Sequence, residues 1–225
     1  MNKDGSENKR LTSEDEIVTD AIFSPDGKRI YLIKAKEFYA AHSGVAAGLH
    51  AYDLFSMNVD GTDEQRLTSF SSEWMSDLSI TADGEKLGMI MIPYNGNKKV
   101  IKIEGSSKGT DFIIYDINTK ELLAYGETNL FSNATLSPNG KKVAYSESGQ
   151  EPYELVERDI LSGIKRQITN LQSYAEHPIY LNENTLYFIY DRNNKDGSYE
   201  EEIVAKINSD GSGFMEVLNF NNIMK

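Results

Sequence analysis

Three histidines, scattered acids and a set of tyrosines are the residues of this 225-residue chain whose types could do chemistry. His42 and His50 lie in one stretch, KEFYAAHSGVAAGLHAY, from Lys36 to Tyr52. A zinc site needs three or four ligands. The remaining histidine, His177, is far along the chain, cysteine is absent and the spacing matches no zinc pattern, so no metal or other cofactor is expected. Asp191-Arg192-Asn193-Asn194-Lys195-Asp196-Gly197 puts a lysine where a calcium loop needs its fifth-position oxygen, and its glycine falls one place late. It reads as a polar hairpin loop. Gly105-Ser106-Ser107-Lys108-Gly109 spells a nucleophile elbow, but a strand pattern follows it where a helix is required. Glu37, Glu73, Glu127, Glu147 and Glu176 show no fixed spacing that would mark a catalytic carboxylate pair. Lys98, Lys99, Lys102 and Lys108 form a basic island, read as a solvated loop or as a seat for an acidic protein or anionic glycan.

The elements that must carry these residues are written in a repeat. FSPDGKRIYLI from Phe23 returns as ITADGEKLGMI from Ile80 and as LSPNGKKVAYS from Leu136. Ser24-Pro25-Asp26-Gly27 has turn chemistry, with proline presetting φ and glycine closing the turn. The apolar run behind each turn suits a strand covered on both faces. A second phrase alternates with the first: Asp53 to Gly61 leads into Gln65-Arg66-Leu67-Thr68, a strand, an Asp-Gly hairpin signal and a strand. Related copies run from Asp111, from Tyr153 and from Ile203. Four units of four short antiparallel strands, at roughly 45 to 58 residues each, are the signature of a propeller. The expected fold is therefore all-β, a β-propeller of four-stranded antiparallel blades at about 18–68, 77–125, 133–169 and 177–219. Residues 1–12 are expected to form a partial N-terminal blade with an outer strand. End blades of an open arc would expose apolar faces, so a fragment or an assembly such as a homo-oligomer is expected.

The pattern F-S-P-D-G-K-R-I, then D-x-x-x-M-N-x-D-G and R-L-T, resembles the repeat of TolB-like β-propellers. It is also similar to the propeller domains of prolyl oligopeptidase and dipeptidyl peptidase relatives. The likeness covers nearly the whole chain, although the second blade lacks the proline and the fourth replaces the turn with Asn182-Glu183-Asn184. The resemblance implies a protein-interaction platform of the cell envelope. The peptidase relatives carry their chemistry on a separate α/β domain, for which this chain has no pattern.

Composition narrows the partners. A net charge of −12 disfavours duplex DNA, RNA and anionic membranes. No apolar run is long enough to span a bilayer, and MNKDGSENKR has no apolar leader core. The loops between second and third strands, and the segments between blades, share one end of the sheets. A recognition surface for a protein or peptide is expected there from Tyr39, His42, His50, Trp74, Tyr94, Tyr153, Tyr174 and His177, since Tyr and Trp are frequent hot-spot residues. A substrate-gating propeller, or a carbohydrate- or ester-acting enzyme, are the alternatives. No catalytic residue is assigned.

Overall fold

A computed structural model describes residues 6–35, 37–39, 48–92, 111–125, 131–147, 151–193 and 201–220. Four four-stranded antiparallel sheets make up the fold. The first contains β1 (Ile17–Phe23), β2 (Arg29–Ala35), β5 (Asp53–Asn58) and β6 (Gln65–Arg66), with a two-stranded hairpin, β3 (Glu37–Tyr39) and β4 (Gly48–His50), between β2 and β5. The second holds β7 (Trp74–Ile80), β8 (Lys86–Ile92), β9 (Asp111–Asp116) and β10 (Leu122–Tyr125). The third holds β11 (Phe131–Leu136), β12 (Lys142–Glu147), β13 (Glu154–Asp159) and β14 (Lys165–Gln167). The fourth holds β15 (Ala175–Asn182), β16 (Thr185–Asp191), β17 (Glu202–Asn208) and β18 (Met215–Asn219). The strands of each sheet lie side by side in chain order, and the fold is the expected β-propeller type.

The repeated phrases make the two hairpin turns. In the first, the Gly27 amide donates to the Ser24 carbonyl at 2.9 Å, the Ser24 hydroxyl bonds Asp26, and Gly27 has φ 69°. Thr81 with Asp83 and Ser137 with Asn139 repeat the side-chain bond. In the second turn, Asp60 accepts from the Thr62 amide and hydroxyl, and Asp210 does the same for Ser212. Gly61 and Gly211, at φ 89° and 85°, supply the left-handed position these turns require.

The chain divides into two compact units, one built on the first sheet and the other on the remaining three, with the division inside β7. In the first unit Ile30, Leu32, Phe55 and Met57 form an apolar cluster on which Leu11 packs. Residues 6–12, where an outer strand was expected, carry none; Leu11 lies against the turn at Gly61 instead. Lys34 is fully buried beside this cluster, paired with Glu16 at 3.2 Å and with Glu64, its ammonium 4.4 Å from the Phe55 ring centroid. In the second unit the sheets stack through mixed clusters. Ile90, Phe112 and Ile114 meet Leu136, Val143, Tyr145 and Val156. Ala144, Leu155 and Ile168 meet Leu186, Phe188, Ile203 and Ile207. Gly88 sits at the first of these contacts, where a Cβ would lie 2.7 Å from Phe112 Cζ and 2.9 Å from Leu136 Cβ.

Two outcomes follow for stability. Gly88→Ala overpacks the contact of the second and third sheets and is expected to cost about 1–3 kcal/mol in urea unfolding. Turn hydrogen bonds hold the Asp26, Asp60, Asp83, Asp116, Asp159 and Asp210 carboxyls below their ordinary value of 3.8. A depressed folded pKa gives stability that is present above the unfolded value and lost as pH falls through the folded one. The urea midpoint is therefore expected to decline progressively below about pH 4, and Asp60→Asn combined with Asp210→Asn should weaken that decline.

Candidate functional site

At the end of the sheets that bears the β2–β5 and β12–β13 connections, the described residues include one aromatic pair in each unit. In the first unit Tyr52, just before β5, meets Trp74, which opens β7, with ring centroids 5.7 Å apart at 63°. In the second, Tyr153 before β13 meets Tyr174 before β15, with centroids 5.0 Å apart at 84°. Both are edge-to-face contacts, the geometry favoured by the ring quadrupole. Backbone bonds hold each pair: Tyr52 and Ser72 exchange amides at 2.9 and 3.0 Å, and the Ala175 amide donates to the Tyr153 carbonyl at 2.9 Å.

A carboxylate beside each first tyrosine organises the segment that carries the second ring. Asp53, fully buried, accepts from the Thr68 hydroxyl at 2.7 Å and from the amides of Phe70 and Ser71, and pairs with Arg66. Glu154 accepts from the Thr169 hydroxyl and from the Gln172 amide at 2.8 Å. Ser71 and Gln172 both adopt left-handed backbone, φ 49° and 53°. One device thus turns the chain out of one sheet and into the next, and Trp74 emerges 44% exposed. Burial pushes the Tyr52 hydroxyl above its usual range.

The structure brings Trp74, Tyr153 and Tyr174 into these pairs and adds Tyr52, which sequence reasoning missed. The signal was present: Tyr52 and Tyr153 are 101 residues apart, Trp74 and Tyr174 are 100 apart. Tyr39 and His50 belong to the β3–β4 hairpin, so the stretch read as irregular carries strand pairing, with Tyr39 opposite Gly48 and His50 opposite Glu37. His42 and Tyr94 lie outside the described residues, as do the lysine island and the Gly105–Gly109 stretch.

His177, given as the first residue of the fourth blade and also as part of the surface between blades, lies inside β15, at a bulge between Glu176 and Ile179 with φ 53°. Asp77 in β7 and Asn133 in β11 take the same conformation, φ 58° and 52°. The first strand of each of these three sheets therefore carries one left-handed polar residue, a position that Asn, Asp and His tolerate best after glycine. The Asp77 carboxylate accepts from the Ala134 amide at 3.0 Å. Among the described residues no group of three His, Asp or Glu is placed to hold a metal ion, and Glu147, one of the scattered acids, is tied to Lys165 at 2.8 Å.

No protein-family model matches the chain, and no curated protein matches its sequence. Solved structures do. A TolB of Agrobacterium tumefaciens aligns over 93% of this chain and 83% of its own, at 12% identity and TM-score 0.59. The β-propeller domain of the Trilobed protease of Pyrococcus furiosus, described as having an open velcro topology, aligns over 89% and 56%, at 15% identity and TM-score 0.57. An oligogalacturonate lyase in complex with manganese aligns over 85% and 48%, at 14% identity and TM-score 0.56. This chain thus spans about half the length of the last two. The class is settled at the level of fold: this is a β-propeller, similar in fold to those of the TolB and the protease.

Asp53→Ala removes the acceptor for several groups around the segment leading to Trp74 and leaves Arg66 unpaired from it. A loss of about 3–5 kcal/mol in unfolding free energy is expected, with the emission of Trp74, the sole tryptophan, shifting to longer wavelength.

Proposed function

We propose that the chain is a non-catalytic propeller scaffold that takes a protein or peptide partner at a sheet end of the kind marked in one unit by Tyr52 with Trp74 and in the other by Tyr153 with Tyr174. The recurrence of a partly exposed, edge-packed aromatic pair at one position in two units carries the reading. Rings held by a backbone bridge and a hydrogen-bonded carboxylate present contact area that is already ordered, and preordered aromatic anchors lose little entropy on binding. The net charge of −12 favours a basic partner segment. The likeness to TolB supports a setting in the cell envelope. The likeness to peptidase propeller domains supports a second reading, in which the same surface screens peptide substrates for a hydrolase domain.

The test is a peptide library displayed on phage and selected on the full chain. Selected peptides are expected to change Trp74 emission and to bind Trp74→Ala or Tyr174→Ala about tenfold more weakly or worse. Failure to enrich any peptide, or equal affinity for wild type and both variants, would overturn the proposal.

A further inference from the structure

Between the third and fourth sheets the contact has a definite form. Ile168, one residue past β14, is buried among residues of the fourth sheet. Its carbonyl oxygen lies 3.1 Å from where a Cβ on Gly211 would sit. The first unit repeats this contact with a different kind of element in the role. Leu11 packs on Ile30, Leu32, Phe55 and Met57, with its Cδ2 3.2 Å and its carbonyl 3.5 Å from the Cβ position of Gly61. Lys9 Nζ donates to the Asp60 carbonyl at 3.1 Å. The register makes the two faces equivalent: Arg29 stands opposite Asn58 as Thr185 stands opposite Asn208, one residue before each cluster begins. Leu11 therefore holds the place that the tail of a preceding sheet would hold, although residues 6–16 form no strand.

The fourth sheet shows the converse. Leu218 is paired opposite Val204, the position at which Ile168, through its amide, meets Leu155 in the third sheet. Ile168 is 4% exposed, but Leu218 is 42% exposed. Ile179 and Met215, paired to Tyr187 and Lys206 on the same face, are 63% and 48% exposed. Among the described residues the fourth sheet thus presents the tail without a seat for it, and the first sheet has a seat filled by a segment that belongs to no ladder.

We propose that Leu218 and its face are a docking surface for a second copy of this chain, seating on that copy's Asn58–Thr62 turn, and that the segment around Leu11 occupies this seat in competition. Two glycine turns are described with such a guest. At Gly211 the guest continues a paired strand. At Gly61 it is held by Leu11, by Lys9 and by the Glu16–Lys34 pair, and its departure breaks no strand pairing. The seat at Gly61 is accordingly the exchangeable one. The joint is head to tail, Leu218 of one copy on the turn of the next, so it is heterologous and propagates or closes into a ring. The negative charge of both copies opposes it, and added salt strengthens it. The surface is separate from the aromatic pairs and does not rest on the peptide-binding reading.

Light scattering coupled to size exclusion on full-length variants tests this. Wild type is expected near its monomer mass of 25.3 kDa. Leu11→Ser should move the mass to a dimer or beyond, and adding Leu218→Asp should return it to the monomer. An unchanged mass for Leu11→Ser with a native β-sheet spectrum overturns the proposal, as does a shift that Leu218→Asp leaves in place. If Leu11→Ser does not fold, the absence of cysteine gives a second route. Leu218→Cys and Thr62→Cys chains, otherwise unchanged, are mixed under oxidation. A mixed disulfide dimer in excess of either homodimer is expected. Its absence overturns the proposal, and so does an internal disulfide forming in preference when both cysteines share one chain.

Discussion

A β-sheet that is apolar on both faces cannot stand by itself in water, and most of this structure follows from that constraint. β2 is buried from Ile30 to Ala35 and β12 from Val143 to Ser146, on alternating sides. At about 25 cal/mol per Å² of apolar surface, covering one face only would forgo a large part of the stability of so small a sheet. Within the second unit stacking covers both, since β12 gives Val143 and Tyr145 to the contact with the second sheet and Ala144 to that with the fourth. It also explains why three of the four sheets repeat the first turn so closely, since sheets that nest need first three strands of similar length, six to eight residues each here.

Polar groups buried in the stack are placed so that the neighbouring sheet completes them. Glu157 lies in the third sheet with Lys142 and Arg166, and accepts at 2.9 Å from the hydroxyl of Tyr180, which the fourth sheet supplies. Burial first, and then the Glu157 charge, pushes the Tyr180 hydroxyl far above its usual range, so it stays a donor. Lys34 is held within the first unit by Glu16 and Glu64, from the segments before β1 and β6. A buried charge whose partners come from different elements penalises any arrangement in which those elements are apart. Apolar packing thus supplies attraction between sheets, and these groups supply its selectivity.

The sheets were legible from the sequence because their turns use residues with narrow conformational roles. Ser-Pro-Asp-Gly and Asp-Gly announce backbone that few other residues adopt, and the alternation between them gives the strand count. The paired aromatics were less legible. Trp74, Tyr153 and Tyr174 were visible as residue types, whereas their coupling to Tyr52 depends on a backbone bridge that no local pattern writes down. The bulge at His177 was not legible for a related reason. The fourth sheet lacks the Ser-Pro-Asp-Gly marker, so its first strand could only be bounded loosely, and a bulge has no sequence signal beyond a polar residue in an apolar run. The segment 6–12 repeats the Arg-Leu-Thr of a strand end, yet among the described residues it pairs with no strand. Like residues then keep the packing of Leu11 and lose the ladder.

The left-handed positions of β7, β11 and β15 bear on how such a molecule diversifies. Asp77, Asn133 and His177 differ in chemistry, one an acid, one an amide and one an imidazole, but each suits the same backbone conformation. A lineage can therefore exchange these three functional groups at a fixed point of an inner strand without moving the chain around it. The scaffold keeps its geometry while the chemistry carried at that point changes from sheet to sheet.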